Sequence, residues 1–254
     1  MKIAVIGGTG MVGSEVVSSL AGDGHEVRIL SRRPPESPTA GTSHHRIDLH
    51  TREGLDDALH GVDTVVDAGN EMRAAKKILV DGTRDLLQRC EEASVGHYVG
   101  ISIVGCEQLK FNYYVAKTAQ EEVIRESRVP WSLLRSTQFH ELLASVFKSA
   151  ARFKVSPTGH IPLQTVSASV VADRLAGMAV SPAIHSTETI AGPQVEDLGS
   201  MSRTWRSISG RRCLPLPVWL PGKTGLALRD GALTDPSAAT PGPKFAEWLA
   251  TRGG

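Results

Sequence analysis

Four glycines within the first thirteen residues constrain this chain most. A short apolar strand over residues 3–6 (Ile-Ala-Val-Ile) runs into Gly7, Gly8, Gly10 and Gly13. Val12, Val16, Val17 and Leu20 then recur at helical spacing. In a strand–turn–helix unit these glycines have separate tasks. Gly7 turns the chain off the strand, Gly10 lets backbone approach a pyrophosphate with no Cβ in the way, and Gly13 lets the helix pack closely. The helix N-terminus then offers unpaired N–H groups and a positive dipole end to phosphate. Gly7, Thr9, Gly10, Met11, Val12 and Gly13 are the candidate phosphate contacts.

The chain has 254 residues, 41% of them hydrophobic, which suits one large α/β domain. Its formal net charge is +1, with Lys and Arg dispersed along the chain, so neither nucleic acid nor an anionic membrane is an expected partner. No apolar run approaches the ~20 residues a bilayer requires. The first strand belongs to the core, so no signal peptide is expected. Cys90, Cys106 and Cys213 are far apart and without CxxC spacing. That pattern predicts no disulfide framework, no zinc site and a reducing cytoplasmic home. His44, His45 and His50 fall around a strand without an acid or cysteine to complete a metal site.

Further strands are predicted at residues 25–30, 45–49, 62–67, 97–104 and 131–134. Helices are predicted at 51–60 (capped by Thr51), 75–93 and 113–127. Residues 31–38 contain three prolines and read as a loop. This alternation with Val/Ile-rich strands predicts an α/β fold built on a doubly wound parallel sheet covered on both faces. Beyond residue 140 the rhythm changes. Helices are expected at 141–153, 166–179 and 201–208, a strand at 188–191, and a terminal helix with Phe245, Trp248 and Leu249 on one face. Residues 210–243 are rich in Pro and Gly, and 218–230 take no assignment. The expectation is a single domain spanning 1–254 in which 140–254 form a small substrate-binding part beyond the strand ends.

An NAD-selective site of this kind places an acid at the end of the second strand. Here Ser31, Arg32 and Arg33 stand there. Two guanidiniums suit a 2′-phosphate, each contact contributing ~1.5–3 kcal/mol. NADPH is therefore expected over NADH. Asp48 and Leu49 follow the third strand, where an adenine contact would fall; Asp48 serves equally well as a turn residue. Ala68, Gly69 and Asn70 end the fourth strand, either as a plain turn or as small residues that admit a cofactor. Tyr113 and Lys117 are four apart and share a helix face, with Ser102 near the end of the strand before them. A tyrosine with pKa ~10 is a poor acid–base catalyst at neutral pH until a nearby cation lowers that value. A serine hydroxyl can hold a carbonyl while the tyrosine protonates its oxygen. Tyr114, three residues from Lys117, is a rival acid. His140 is either a second proton carrier or a surface or capping residue.

The Gly7–Gly13 run, the arginines after the second strand, Ser102 and the Tyr113-Tyr114-x-x-Lys117 helix together resemble the short-chain dehydrogenase/reductases. The atypical, NmrA-like NAD(P)H-binding branch is the nearest. The segment Trp131-Ser-Leu-Leu-Arg-Ser-Thr-Gln-Phe139 resembles that family's sixth strand and following loop. The resemblance covers residues 1–180 well and the remainder loosely. It implies a Rossmann-type fold with a seven-stranded parallel sheet and a C-terminal substrate region. It also implies Ser102, Tyr113 and Lys117 as catalytic residues, with Ser102 and Lys117 also touching the cofactor. Ser136 and Thr137 become cofactor contacts, where the wider family has Pro-Gly. The asparagine that the main branch carries in its fourth helix has no counterpart here. The activity implied is hydride transfer from NADPH to a carbonyl or activated double bond of a small organic molecule. Two alternatives stay open: an NmrA-like redox sensor that binds NAD(P) without turnover, and an NAD-retaining epimerase or dehydratase. The sequence favours neither a monomer nor a homo-oligomer.

Overall fold

The computed structural model describes residues 1–37, 39–72 and 74–252. Strand β1 (Lys2–Ile6) leads through the glycine turn into α1 (Met11–Gly22), then β2 (Glu26–Ser31) and β3 (Thr42–Arg46). A short α2 (Leu55–Leu59) precedes β4 (Thr64–Asp67). A π-helical stretch, Lys76–Gly82, runs straight into α3 (Thr83–Glu92). β5 (His97–Ile103), α4 (Asn112–Arg125) and β6 (Trp131–Ser136) follow. The remainder comprises α5 (His140–Ala151), β7 (Val155–Thr158), β8 (Pro162–Leu163), α6 (Ala168–Ala179) and β9 (Thr187–Ile190). Then come β10 (Glu196–Asp197), α7 (Leu198–Ser209), β11 (Leu214–Pro217), α8 (Gly222–Arg229) and α9 (Phe245–Thr251).

Seven strands form one sheet in the order β3-β2-β1-β4-β5-β6-β9, and the pairings from β3 through β5 are parallel. This is the expected Rossmann-type α/β architecture. The order reverses between β1 and β4, so the carboxyl ends of those two strands flank the crevice where such sheets take ligands. Buried side chains explain the central strands: β4 is buried at every residue and β1 at all but its first.

Several expected boundaries move. The third strand begins at Thr42 and ends at Arg46, three residues before its expected span. It lies at the sheet edge, and its residues Thr-Ser-His-His-Arg carry no apolar signal. The second helix starts at Leu55, and Thr51 does not cap it. The Asp48 carboxylate accepts the His50 N–H at 2.8 Å and its carbonyl accepts Arg52 N–H at 2.7 Å, so a turn occupies 48–52 in place of a helical start. Pro38, the third proline of the 31–38 loop, lies outside the described residues.

The chain divides into two compact units. The first comprises Met1–Ser102, Asn112–Arg135 and Val171–Glu188; the second comprises Ile103–Phe111, Ser136–Val170 and Thr189–Gly254. In the first, Ile6, Leu30, Leu59, Leu86, Tyr98 and Leu133 are among the buried residues of a continuous core. In the second, Phe147, Met201 and Trp205 pack with Phe245, Trp248 and Leu249, the three residues read as one face of the terminal helix. The second unit also holds strands the sequence did not announce. β7 pairs with β11 and β8 with β10. Each is two to four residues long, and all but β10 carry proline, which erases the alternating pattern that marks a strand.

Candidate active site

The glycine turn separates two demands. Gly7 adopts φ +70°, its N–H is bonded to Leu30 O at 2.9 Å, and its carbonyl accepts the Gly10 N–H at 2.8 Å. A Cβ on Gly13 would lie 2.2 Å from Gly7 O, so α1 can sit against the turn only with glycine there. The fold itself demands Gly7 and Gly13. Gly10 differs: its backbone is extended (φ −84°), and a Cβ there would meet only Gly7 O, at 3.1 Å. It is exposed at the N-terminus of α1, where no side chain caps the helix and no acid occupies the first turn. Thr9, Gly10 and Met11 are exposed, whereas Val12 and Gly13 are buried and can offer only backbone. Uncapped N–H groups behind a bare, exposed glycine suit the pyrophosphate of a dinucleotide.

At the end of β2, Ser31 is buried and its hydroxyl donates to Arg33 O at 2.6 Å, with His44 Nε2 3.2 Å away. The serine therefore shapes the loop that carries Arg32 and Arg33, both exposed. Asp48 holds its own turn, as described, and Leu49 packs against the core.

β4 ends beside the glycine turn. A Cβ on Gly7 would come within 3.0 Å of Ala68 O and of the Gly69 Cα, so these two backbones touch at the reversal of strand order. Asp67 anchors this end. Its carboxylate accepts Gly69 N–H at 2.9 Å and Tyr98 Oη–H at 2.7 Å. Burial raises its pKa above the usual carboxylate value, against those two hydrogen bonds and the Lys117 charge. Asn70 is exposed, and its Oδ1 accepts a hydrogen bond from the Tyr113 hydroxyl at 2.9 Å. Tyr114 stands edge-on to Tyr113, with ring centroids 5.4 Å apart.

Lys117 is 3% exposed. Its Nζ donates to Ile101 O at 2.8 Å and to Gln120 Oε1 at 2.7 Å, and Gln120 Nε2 donates to Thr83 Oγ1 at 2.9 Å. Sequence reasoning missed Gln120 and Asp67. Gln120 lies three residues beyond Lys117 on the face of α4 already singled out, and that spacing is the signal that was available. Ser102 is 2% exposed; its hydroxyl lies by the Glu121 carboxylate but makes no well-formed hydrogen bond among the described residues. Burial would raise the Glu121 pKa, but hydrogen bonds from Arg135 outweigh it and hold the carboxyl below its ordinary value. Arg135 reaches both carboxylate oxygens, at 2.8 and 2.7 Å, and Arg125 adds a contact at 2.6 Å.

The first unit thus carries every predicted site residue except Ser136 and Thr137, which belong to the second. Both of these are buried; Thr137 Oγ1 accepts the Gly192 N–H at 3.1 Å. His140 is neither a surface residue nor open to a substrate. It is fully buried between Phe245 and Trp248, and burial lowers its pKa. Among the described residues no group of three or more His, Cys, Asp or Glu side chains could hold a metal ion. No helix among them is long and apolar enough to cross a membrane.

A family model described as NAD(P)H-binding matches residues 7–176. A reductase of (4-alkanoyl-5-oxo-2,5-dihydrofuran-3-yl)methyl phosphate from Streptomyces griseus is 33% identical over 141 residues, 54% of this chain and 48% of that protein. The chain spans about half the length of the curated relatives it matches. Two solved structures share the fold. An NADPH-dependent quinone oxidoreductase from Escherichia coli, complexed with NADPH, gives a TM-score of 0.79 at 17% identity, covering 98% of this chain and 99% of that one. The Bordetella bronchiseptica enzyme WbmG in complex with NAD gives 0.75 at 15% identity, covering 98% and 92%.

Proposed function

The chain belongs to the NAD(P)H-binding family, and from that premise we propose that it is an oxidoreductase acting on a carbonyl or activated double bond of a small organic molecule. The observation that carries the reading is the Tyr113–Asn70 contact. It sets a phenol at the carboxyl end of β4, beside the turn that suits the pyrophosphate. Bound NADPH supplies the hydride. The backbone of Gly7–Gly13 and the N-terminus of α1 hold its phosphates, with Ala68–Asn70 on the other side of the crevice. Arg32 and Arg33 grip a 2′-phosphate, which makes NADPH the preferred form.

Tyr113 gives its proton to the substrate oxygen. Lys117, one helical turn on, supplies the positive charge that favours the tyrosinate and a donor for the nicotinamide ribose. Ser102 carries a hydroxyl that lies by the Glu121 carboxylate and makes no well-formed hydrogen bond among the described residues, which suits a group that serves the substrate oxygen. We assign substrate selection to residues 140–254, and a reducing cytoplasm to a chain whose three cysteines lie far apart in sequence without CxxC spacing.

One observation favours a second reading. Lys117 and Ser102 are both buried, which agrees with a protein that binds nucleotide without turning over substrate. The test is a panel of quinones, enones and aldehydes, followed by loss of NADPH absorbance, alongside a direct titration of NADPH and NADH. Oxidation above the uncatalysed rate on any class supports the oxidoreductase. Tight NADPH binding with no oxidation across the panel replaces it with the sensor. Cofactor retained through purification and chased by no substrate points to an epimerase.

A further inference from the structure

The near-zero net charge of the chain conceals an uneven distribution. The second unit carries twelve Lys and Arg against seven Asp and Glu, a net charge of +5, which leaves −4 for the first. Within the second unit, residues 142–170 and 198–229 contain nine basic residues and no acid. These two stretches meet where β7 pairs with β11.

The same place holds the most exposed large apolar side chains of the unit. Phe153 is 80% exposed, Leu214 73% and Trp219 71%. They are neighbours by construction. Leu214 N–H bonds to Lys154 O at 2.9 Å, one residue from Phe153, and β11 continues from Leu214 through exposed Leu216 towards Trp219. Trp219 rims an apolar hollow lined also by Ile161, Leu220 and Leu228. Around this ridge stand exposed Lys148, Arg152, Lys154, Arg211, Arg212 and Lys223.

Strand β11 is an edge, yet it does not invite a further strand. Leu214 and Val218 direct their N–H groups inward, to Lys154 O at 2.9 Å and Thr158 O at 2.7 Å. The alternation of a strand then directs residues 215 and 217 outward, and both are proline. The outer edge offers no N–H donor, so pairing with a second copy of this strand is blocked. What covers the ridge must accept apolar side chains and positive charge without asking for backbone hydrogen bonds. An anionic bilayer surface meets all three conditions, with Trp at headgroup depth and Lys and Arg against lipid phosphates.

We propose that the ridge Phe153–Leu214–Leu216–Trp219, framed by Arg152, Lys154, Arg211 and Arg212, docks this protein on anionic phospholipid surfaces. Nothing in this docking depends on which reaction the first unit supports.

The chain contains its own reporter. Of its four tryptophans, Trp131, Trp205 and Trp248 are buried and Trp219 alone is exposed. The full chain is mixed with vesicles of phosphatidylcholine alone and of phosphatidylcholine with about a third phosphatidylglycerol. Binding is read by co-sedimentation and by tryptophan emission. The expected result is binding to the anionic vesicles only, a blue shift of emission, and weakening as salt screens the attraction. Arg211→Glu with Arg212→Glu should lower the bound fraction about tenfold or more. Leu214→Ser with Trp219→Ser should lose the shift and most of the binding. An unchanged melting temperature and unchanged NADPH titration establish that both variants are folded. Equal binding to neutral vesicles, or none to either, overturns the proposal. So does a dimer in sedimentation velocity that Leu214→Ser with Trp219→Ser dissolves, because a second copy then covers the ridge. Binding to duplex DNA that displaces the vesicles overturns it in favour of a nucleic-acid surface.

Discussion

The Tyr113 hydroxyl donates to Asn70 Oδ1 at 2.9 Å, tying the start of α4 to the loop that leaves β4. Two segments some forty residues apart in sequence thus converge on one polar contact at the crevice. Neither residue is buried, so the bond serves position more than stability. A phenol held this way is oriented before substrate arrives.

If Tyr113 delivers the proton, Tyr113→Phe should lower turnover by ~10²–10⁴-fold, the range of general acid catalysis. NADPH affinity should change little, because the hydroxyl faces substrate. The melting temperature should fall by no more than about 1 kcal/mol of stability implies, since the bond is exposed. Tyr114→Phe is the control, as its ring stands edge-on to Tyr113 and it is the rival acid. Steady-state rates and nucleotide titrations on the three proteins decide it. A dead Tyr114→Phe beside an active Tyr113→Phe would move the assignment by one residue.

Lys117 should behave differently, because its ammonium is buried and bonded to Ile101 O and Gln120. Lys117→Ala should lower turnover and cofactor affinity together. Lys117→Met, which keeps the stem, separates charge from packing. Gln120→Leu should weaken NADPH binding without abolishing it and should shift the pH profile of turnover, because it removes an acceptor that fixes the ammonium. If Gln120→Leu changes stability alone, the residue has only a structural part.

If Arg32 and Arg33 grip a 2′-phosphate, they set the cofactor preference. Removing one charge-assisted contact should cost ~1.5–3 kcal/mol, about 10–150-fold in NADPH affinity, with NADH affinity unchanged. Isothermal titration of both nucleotides against wild type and Arg32→Ala measures this. Equal wild-type affinities for the two nucleotides would remove the arginines from the site.

The parts of this architecture that repeat were legible from residues alone. The glycine turn, the continuous apolar strands and the Tyr113–Lys117 face each rest on a spacing that sequence preserves. Structure was needed where a side chain overrides a pattern. Asp48 bonds to the His50 N–H and sets a turn where the spacing predicts a helical start capped by Thr51. Pro215 and Pro217 hide a strand by removing the alternation that announces one. His140 reads as a polar residue near a cleft, yet Phe245 and Trp248, more than a hundred positions later, enclose it. Asp67 was invisible as a site residue because it acts through Tyr98, thirty-one positions on, whereas Gln120 was marked by its three-residue spacing from Lys117.

The burial of His140 makes a pH prediction. Pro243 O can only accept, so Nε2 carries the proton and donates to it at 3.0 Å, leaving Nδ1 to accept from Thr165 Oγ1 at 2.8 Å. Burial holds this ring, and that of His97, below the ordinary value of 6.5. The unfolded chain therefore binds protons near pH 6.5 that the folded chain resists. Stability is complete above that value and falls as pH drops towards the folded-state pKa values. Asp67, raised by burial, has the opposite sign, since its folded form takes up a proton more readily. Melting temperature should decline from about pH 7.5 to about pH 5.5, and His140→Gln should flatten the decline. Parallel slopes in the two proteins would assign the acid sensitivity elsewhere.

Gly10 and Gly13 should give opposite failures. Gly13→Val drives a Cβ to 2.2 Å from Gly7 O, a backbone atom that cannot give way, so the turn must open and the fold should be lost or severely weakened. Gly10→Val meets only Gly7 O, at 3.1 Å, a tight contact relieved by a shift of a few tenths of an ångström, and its extended backbone accepts any residue. The cost there is about 1 kcal/mol for a poorer residue at the helix N-terminus. Gly10→Val should therefore melt within a few degrees of wild type while losing at least about 100-fold in affinity for both NADPH and NADH, because the added branch fills the approach to the phosphates. Circular dichroism melts and nucleotide titrations, run on the same preparations, separate the two failures. A folded Gly10→Val that binds both nucleotides normally would place the pyrophosphate away from this turn.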